Sequence, residues 1–171
     1  MKVKKLVLSA MFLAIAFVLP FFTGQIPQVG GMLCPMHIPA LLCGFFCGGP
    51  YGALVGFLAP IFRSLVMGMP TMFPKAVCMA VEMATYGLVA GMLYRLLCQK
   101  KWAVYASLVT AMIVGRLLWG MAMFICMGIK GSAFGLAAFW AGAVTTALPG
   151  IVLQLVLIPI LVLSLKKHIL E

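Results

Sequence analysis

The sequence predicts an all-α integral membrane protein, a single membrane domain over residues 1–171 folded as a bundle of six transmembrane helices. Three observations predict it. The chain is 65% hydrophobic and 8% charged, with a mean hydropathy of +1.24. A soluble domain carries about 25% charged residues, so this chain has too little polar surface to face water, whereas a bilayer accepts Leu, Phe and Met directly. Long apolar runs fill the chain and are broken only by Gly, Pro and charge. Eight of the twelve Lys and Arg residues fall into three clusters at or near the ends of these runs.

Each element follows from this punctuation, given that a crossing helix needs roughly 20 mostly apolar residues. The first span is Leu6–Phe22. The basic start Lys2, Lys4 and Lys5 before an apolar run resembles a secretory signal, but the run continues to Phe22, no small-residue cleavage site follows, and further spans come after it. It is therefore read as a membrane helix. A polar, Gly-rich loop, Thr23–Gly31, leads to a short second span, Met36–Gly48. The turn Gly48-Gly49-Pro50 opens the third, Tyr51–Met67, and the Pro-containing loop Gly68–Pro74 ends it. The remaining spans are Lys75–Cys98, Trp102–Met127 and Phe139–Leu165.

Charge sets the topology, because Lys and Arg stay on the cytoplasmic side near span ends. Lys2, Lys4 and Lys5 precede span one; Arg95, Lys100 and Lys101 lie between spans four and five; Lys166 and Lys167 follow span six. With six spans all three clusters share one face, which predicts a multi-pass protein of the plasma membrane with both termini cytoplasmic. Eight of the twelve Lys and Arg residues are accounted for as these anchors. The net charge of +10 thus argues for no nucleic-acid partner, since there is no soluble basic face.

The four other cations point to function. Arg63, Lys75, Arg116 and Lys130, with His37 and Glu82, all fall in the outer half of the predicted bundle. A charge in the bilayer core costs at least ~2.5–3.5 kcal/mol on insertion scales and usually faces a cavity or a partner. Arg63 has the alternative of reaching the outer headgroups, and Arg116 that of a structural pair with Glu82. Glu82 is the only acid apart from Glu171, so one carboxylate faces several cations. The surplus favours an anionic or strongly polar small ligand entering from outside. Tyr86, one helical turn from Glu82, and Trp119, three residues from Arg116, share faces with them and complete a candidate pocket; ordinary packing is the alternative for both. His37 alone has the ordinary reading of a satisfied interfacial histidine.

Gly44, Gly48, Gly52 and Gly56 recur every four residues, as do Gly87 and Gly91; such spacing lets membrane helices approach closely. Cys43 and Cys47 share a helix face and are read as small core residues. Cys34 and His37 give only two metal ligands, so no metal and no cofactor are expected.

Taken together, these features resemble the substrate-binding S component of energy-coupling factor (ECF) vitamin importers. The resemblance covers nearly the whole chain. It rests on size, six spans, cytoplasmic termini, the Ala10/Ala14 pair in span one, and a central series: Met36-His37-Ile38-Pro39, Gly49-Pro50-Tyr51-Gly52, Arg63-Ser64, Gly68-Met69-Pro70 and Glu82-Met83-Ala84-Thr85-Tyr86-Gly87. It implies high-affinity capture of a vitamin or related micronutrient near the outer face, with delivery through a transmembrane coupling subunit and two ATPase subunits on other chains, after the S component topples in the membrane. It implies that Ala10 and Ala14 contact the coupling subunit. It places substrate among Lys75, Glu82, Tyr86, Arg116, Trp119 and Lys130, with Thr23–Gly31 as a lid. The His-Ile-Pro and Gly-Met-Pro segments look most like the pantothenate-type group, and a carboxylate ligand agrees with the surplus of Arg and Lys. Folate, riboflavin and a queuosine precursor remain as alternatives.

The chain has no Gly-x-x-x-x-Gly-Lys-Ser/Thr phosphate loop, so an ATPase would be another subunit. Two other classes compete. A self-contained transporter or channel needs an internal repeat or a continuous polar path, and the inner halves of these spans offer little beyond Gln154. An intramembrane enzyme acting on lipid or isoprenoid needs paired acids, a metal cluster or an activated nucleophile. Here only Glu82 and His37 are available, on different spans, so the chain is not expected to be an enzyme.

Overall fold

The computed structural model describes residues 2–22, 35–97, 100–131, 135–142 and 147–169. The loop Thr23–Gly31, Cys34 and Cys98 lie outside them. The described residues form helices α1 (Lys2–Phe22), α2 (His37–Cys47), α3 (Gly49–Met67), α4 (Val77–Leu96), α5 (Lys101–Ile129), α6 (Leu136–Trp140) and α7 (Leu148–Ile169). A widened turn, Met72–Ala76, precedes α4 and is kinked at Phe73, whose backbone is extended.

Among the described residues, five helices are long and apolar enough to cross a membrane: Val3–Phe21, Gly49–Met67, Met72–Leu96, Lys101–Ile129 and Leu148–Leu165. Six were expected. The difference is Met36–Gly48, which forms the eleven-residue helix α2. At 1.5 Å per residue it is about 16 Å long, roughly half the ~30 Å hydrocarbon core. All eleven of its residues are buried, so protein surrounds it and neither end needs to reach the bilayer surface. The last span differs too. Phe139–Leu165 is not one helix: α6 ends at Trp140 and the long helix begins at Leu148. Pro149 explains that start, because proline fits the first turn, where its missing N–H has no partner to lose.

Glycine sets the packing at the centre. Gly48 has φ +107°, a conformation that other residues rarely adopt, and it turns α2 directly into α3. Gly44 and Gly52, one turn either side, then meet backbone to backbone. Gly87 of α4 lies against both, and Gly56 lies against the backbone of Met83. A Cβ at any of these positions would strike main chain. The arrangement makes α3 and α4 antiparallel. The guanidinium of Arg95 donates from Nη2 to the Cys47 carbonyl (2.9 Å), satisfying one of the last carbonyls of α2. Arg95, assigned from sequence as a topology anchor, therefore also closes this hairpin.

Around this centre, α1 contributes Phe12 and Ala16, α5 contributes Val104, Leu108 and Ala111, and α7 contributes Ile158 and Val162 to the buried core. Cys43 and Cys47 are buried there as well, as small core residues. The opposite sides of α1, α5 and α7 expose Leu, Ile, Val and Phe, as lipid-facing helices do.

Candidate functional site

Glu82 is the focus of the buried charge. It sits in the second turn of α4, 2% exposed. Arg116 of α5 approaches it with Nη1 3.1 Å from Oε1, and His37, the first residue of α2, places Nε2 3.7 Å from Oε2. Three elements therefore converge on one carboxylate. Tyr86, one turn along α4, is fully buried, and its ring centroid lies 5.3 Å from that of His37. The i, i+4 spacing puts Glu82 and Tyr86 on one face, and that face meets both α2 and α5.

Gly115 makes this convergence fit. A Cβ there would collide with the Tyr86 ring, so the residue before Arg116 must lack a side chain for the ring and the guanidinium to occupy one layer. The sequence held no sign of this, because Gly115 belongs to no repeat and its role exists only against Tyr86.

The other expected residues divide. The Trp119 ring lies 6.3 Å from that of Phe139 and against Gly142, so it packs on α6. Lys75 and Lys130 are exposed at the end of the bundle where α4 begins and α5 finishes, here called the Met72 end. Arg63 is buried, 5% exposed, and faces α1 rather than Glu82. Its Nη1 donates to the Phe17 carbonyl at 3.3 Å, and its guanidinium carbon lies 5.6 Å from the Phe21 ring centroid. The structure thus brings together His37, Glu82, Tyr86 and Arg116, while Arg63 bonds to α1, Lys75 and Lys130 are exposed and Trp119 packs on Phe139.

Buried polar atoms without hydrogen-bond partners among the described residues include His37 Nδ1 on α2, Ser107 Oγ on α5 and Gln154 Oε1 on α7. Gln154 was visible in the sequence as a polar residue within an apolar run; Ser107 was not singled out. An apolar groove of about 560 Å³ lies between α5 and α6, lined by residues such as Met121, Phe124, Leu136 and Phe139, none of them in the charged cluster. Ala10 and Ala14 are both exposed on α1.

A buried carboxylate balanced by one guanidinium and one imidazole can order three helices. A family model described as the ECF transporter, substrate-specific component, matches residues 4–162. The chain belongs to this family. It is a family of substrate-binding components of transporters and not of enzymes; its members bind a small-molecule substrate and work with the subunits of an ECF module. With its apolar helices, membership makes the chain a multi-pass membrane protein. Neither the curated proteins nor the solved structures include a match.

Proposed function

We propose that this chain captures a vitamin or related micronutrient from outside the cell, with pantothenate the first candidate, and delivers it through an ATP-driven coupling subunit and two ATPases. The observation that carries this reading is the family match over residues 4–162, together with cations that outnumber the chain's two acids. The ligand is taken as anionic, and its site as the His37–Glu82–Arg116 group with Tyr86 and Trp119, flanked by Arg63, Lys75 and Lys130. Ala10 and Ala14 are the docking face for the coupling subunit. Their exposure on α1 supports this, because small residues allow close helix approach.

The orientation belongs to the same reading. Helix α2 stands in for the sixth crossing, both termini are cytoplasmic, and the protein lies in the plasma membrane with the Met72 end outward. The burial of all of α2 supports this, since a short helix sheathed by others need not span lipid itself.

A ligand that binds only the folded state raises the melting temperature by mass action. The purified chain in detergent should show a selective rise with pantothenate among a panel containing folate, riboflavin and queuine. A selective rise with another vitamin replaces the first candidate. A folded sample that responds to none of them overturns the vitamin reading.

A further inference from the structure

Arg63 is a buried cation with no acid paired to it among the described residues. It is 5% exposed on a helix that crosses the membrane by length and composition. A guanidinium carries five N–H donors. Among the described residues Arg63 has one hydrogen bond, at 3.3 Å, to a main-chain carbonyl, and the Phe21 ring beside it. Neither is an anion. The chain holds two acids, Glu82 and Glu171. Glu82 is taken by Arg116 and His37, and Glu171 lies outside the described residues.

Its surroundings increase the need for negative charge. The antiparallel register that sets Gly52 against Gly87 and Gly56 against Met83 carries Arg63 about level with Lys75 and Ala76. Helix α3 indeed packs on the turn Met72–Ala76. The Met72 end therefore gathers Arg63, Lys75 and Lys130, with no acid among its described residues. Arg116, by contrast, already has its carboxylate at 3.1 Å.

We propose that Arg63, and not Arg116, receives the carboxylate of the ligand, in a small-anion site between α3 and the end of α1. Planar guanidinium and planar carboxylate match in bidentate geometry, and the donors not spent on Phe17 have no hydrogen-bond partner among the described residues. The Glu82–Arg116–His37 group then holds the helices that frame the remainder of the ligand. This rests on the substrate-binding reading above and adds the group by which the substrate is recognised. The same anion chemistry is offered by a lipid phosphate. The burial of Arg63 and its bond inward to Phe17 favour a small soluble carboxylate over a headgroup.

The test uses the full chain in neutral detergent, with acetate as the probe and acetamide as its uncharged counterpart at constant ionic strength. Acetate should give a saturable rise in melting temperature that acetamide does not. The rise should vanish in Arg63→Gln and persist, weakened, in Arg63→Lys, which keeps the charge but not the fork. Arg95→Gln, which removes a guanidinium bonded to a carbonyl on the opposite end of α4, should lower the melting temperature yet keep the acetate response. An equal response to acetate and acetamide, or none to either, overturns the proposal, and so does an acetate rise that survives Arg63→Gln. An Arg63-dependent rise with phosphatidylglycerol but not with acetate overturns it in favour of a headgroup. The vitamin panel stands apart from these results. A vitamin that binds while acetate fails leaves the substrate-binding reading intact without this site; acetate binding with no vitamin response does the reverse.

Discussion

Glu82 is the residue on which most of the buried polar chemistry depends. A lone carboxylate 2% exposed inside apolar helices would be strongly unfavourable; Arg116 at 3.1 Å and His37 at 3.7 Å offset that cost. Removing one partner of a buried pair is typically costly by about 3–5 kcal/mol, because it strands the other charge. Glu82→Gln and Arg116→Gln should each destabilise the detergent-solubilised protein on that scale. The double variant should lose clearly less than the two losses combined, as measured by equilibrium unfolding. Strict additivity would mean that the two groups are not coupled. Part of this was legible in the sequence. A single internal acid among several cations made a Glu82–Arg116 pair an evident alternative, and i, i+4 spacing put Tyr86 beside Glu82. His37 was harder, since nothing local ties the start of α2 to α4. Trp119 shares a stripe with Arg116, yet its long side chain reaches Phe139, and helical spacing alone cannot foresee which neighbour an aromatic ring will find.

Among the elements, α1 has the least settled surroundings. It buries Ser9, Phe12, Ala16 and Pro20 and leaves Val3, Leu6, Val7, Ala10, Met11 and Ala14 outward. Ala10 and Ala14 form a shallow place in an otherwise bulky apolar surface, where a partner helix can come close. Replacing both with Leu should spare ligand binding, because neither touches the buried cluster, and should block uptake once the coupling module is present. Uptake at the normal rate in Ala10→Leu/Ala14→Leu would remove this face from docking. Element boundaries show where sequence reading succeeds and where it stops. Apolar length and flanking charge located α1, α3, α4 and α5. The same criteria counted α2 as a span like the others, and composition cannot tell a short helix wrapped in protein from a long one facing lipid. Pro149 was the overlooked signal for the start of α7, being hidden in an apolar run that continues without charge from Phe139.

For the molecule as a whole, the distribution of charge between the two ends is the feature with most consequence. Arg95, Lys100 and Lys101 lie where α4 ends and α5 starts, and Lys75 and Lys130 lie at the opposite end. In a background free of native cysteines, Lys130→Cys should react with a membrane-impermeant maleimide in intact cells, and Lys100→Cys only after permeabilisation. The reverse pattern would invert the proposed orientation. The membrane class and the family were legible over almost the full length, because composition and small-residue spacing are global signals. The ligand was not, because the residues meant to hold it lie on different elements and their facing is set by tertiary packing: Arg63 toward α1, Arg116 toward Glu82.

The glycine contacts among α2, α3 and α4 have a mechanical consequence. Where main chain rests on main chain at Gly44, Gly52 and Gly87, there are no side-chain rotamers to readjust, so the three helices cannot slide or roll past one another without opening a void. They should move as one rigid body. Any internal rearrangement that accompanies loading or release must then be taken up by the helices outside that body, α1, α5 and α7 among them.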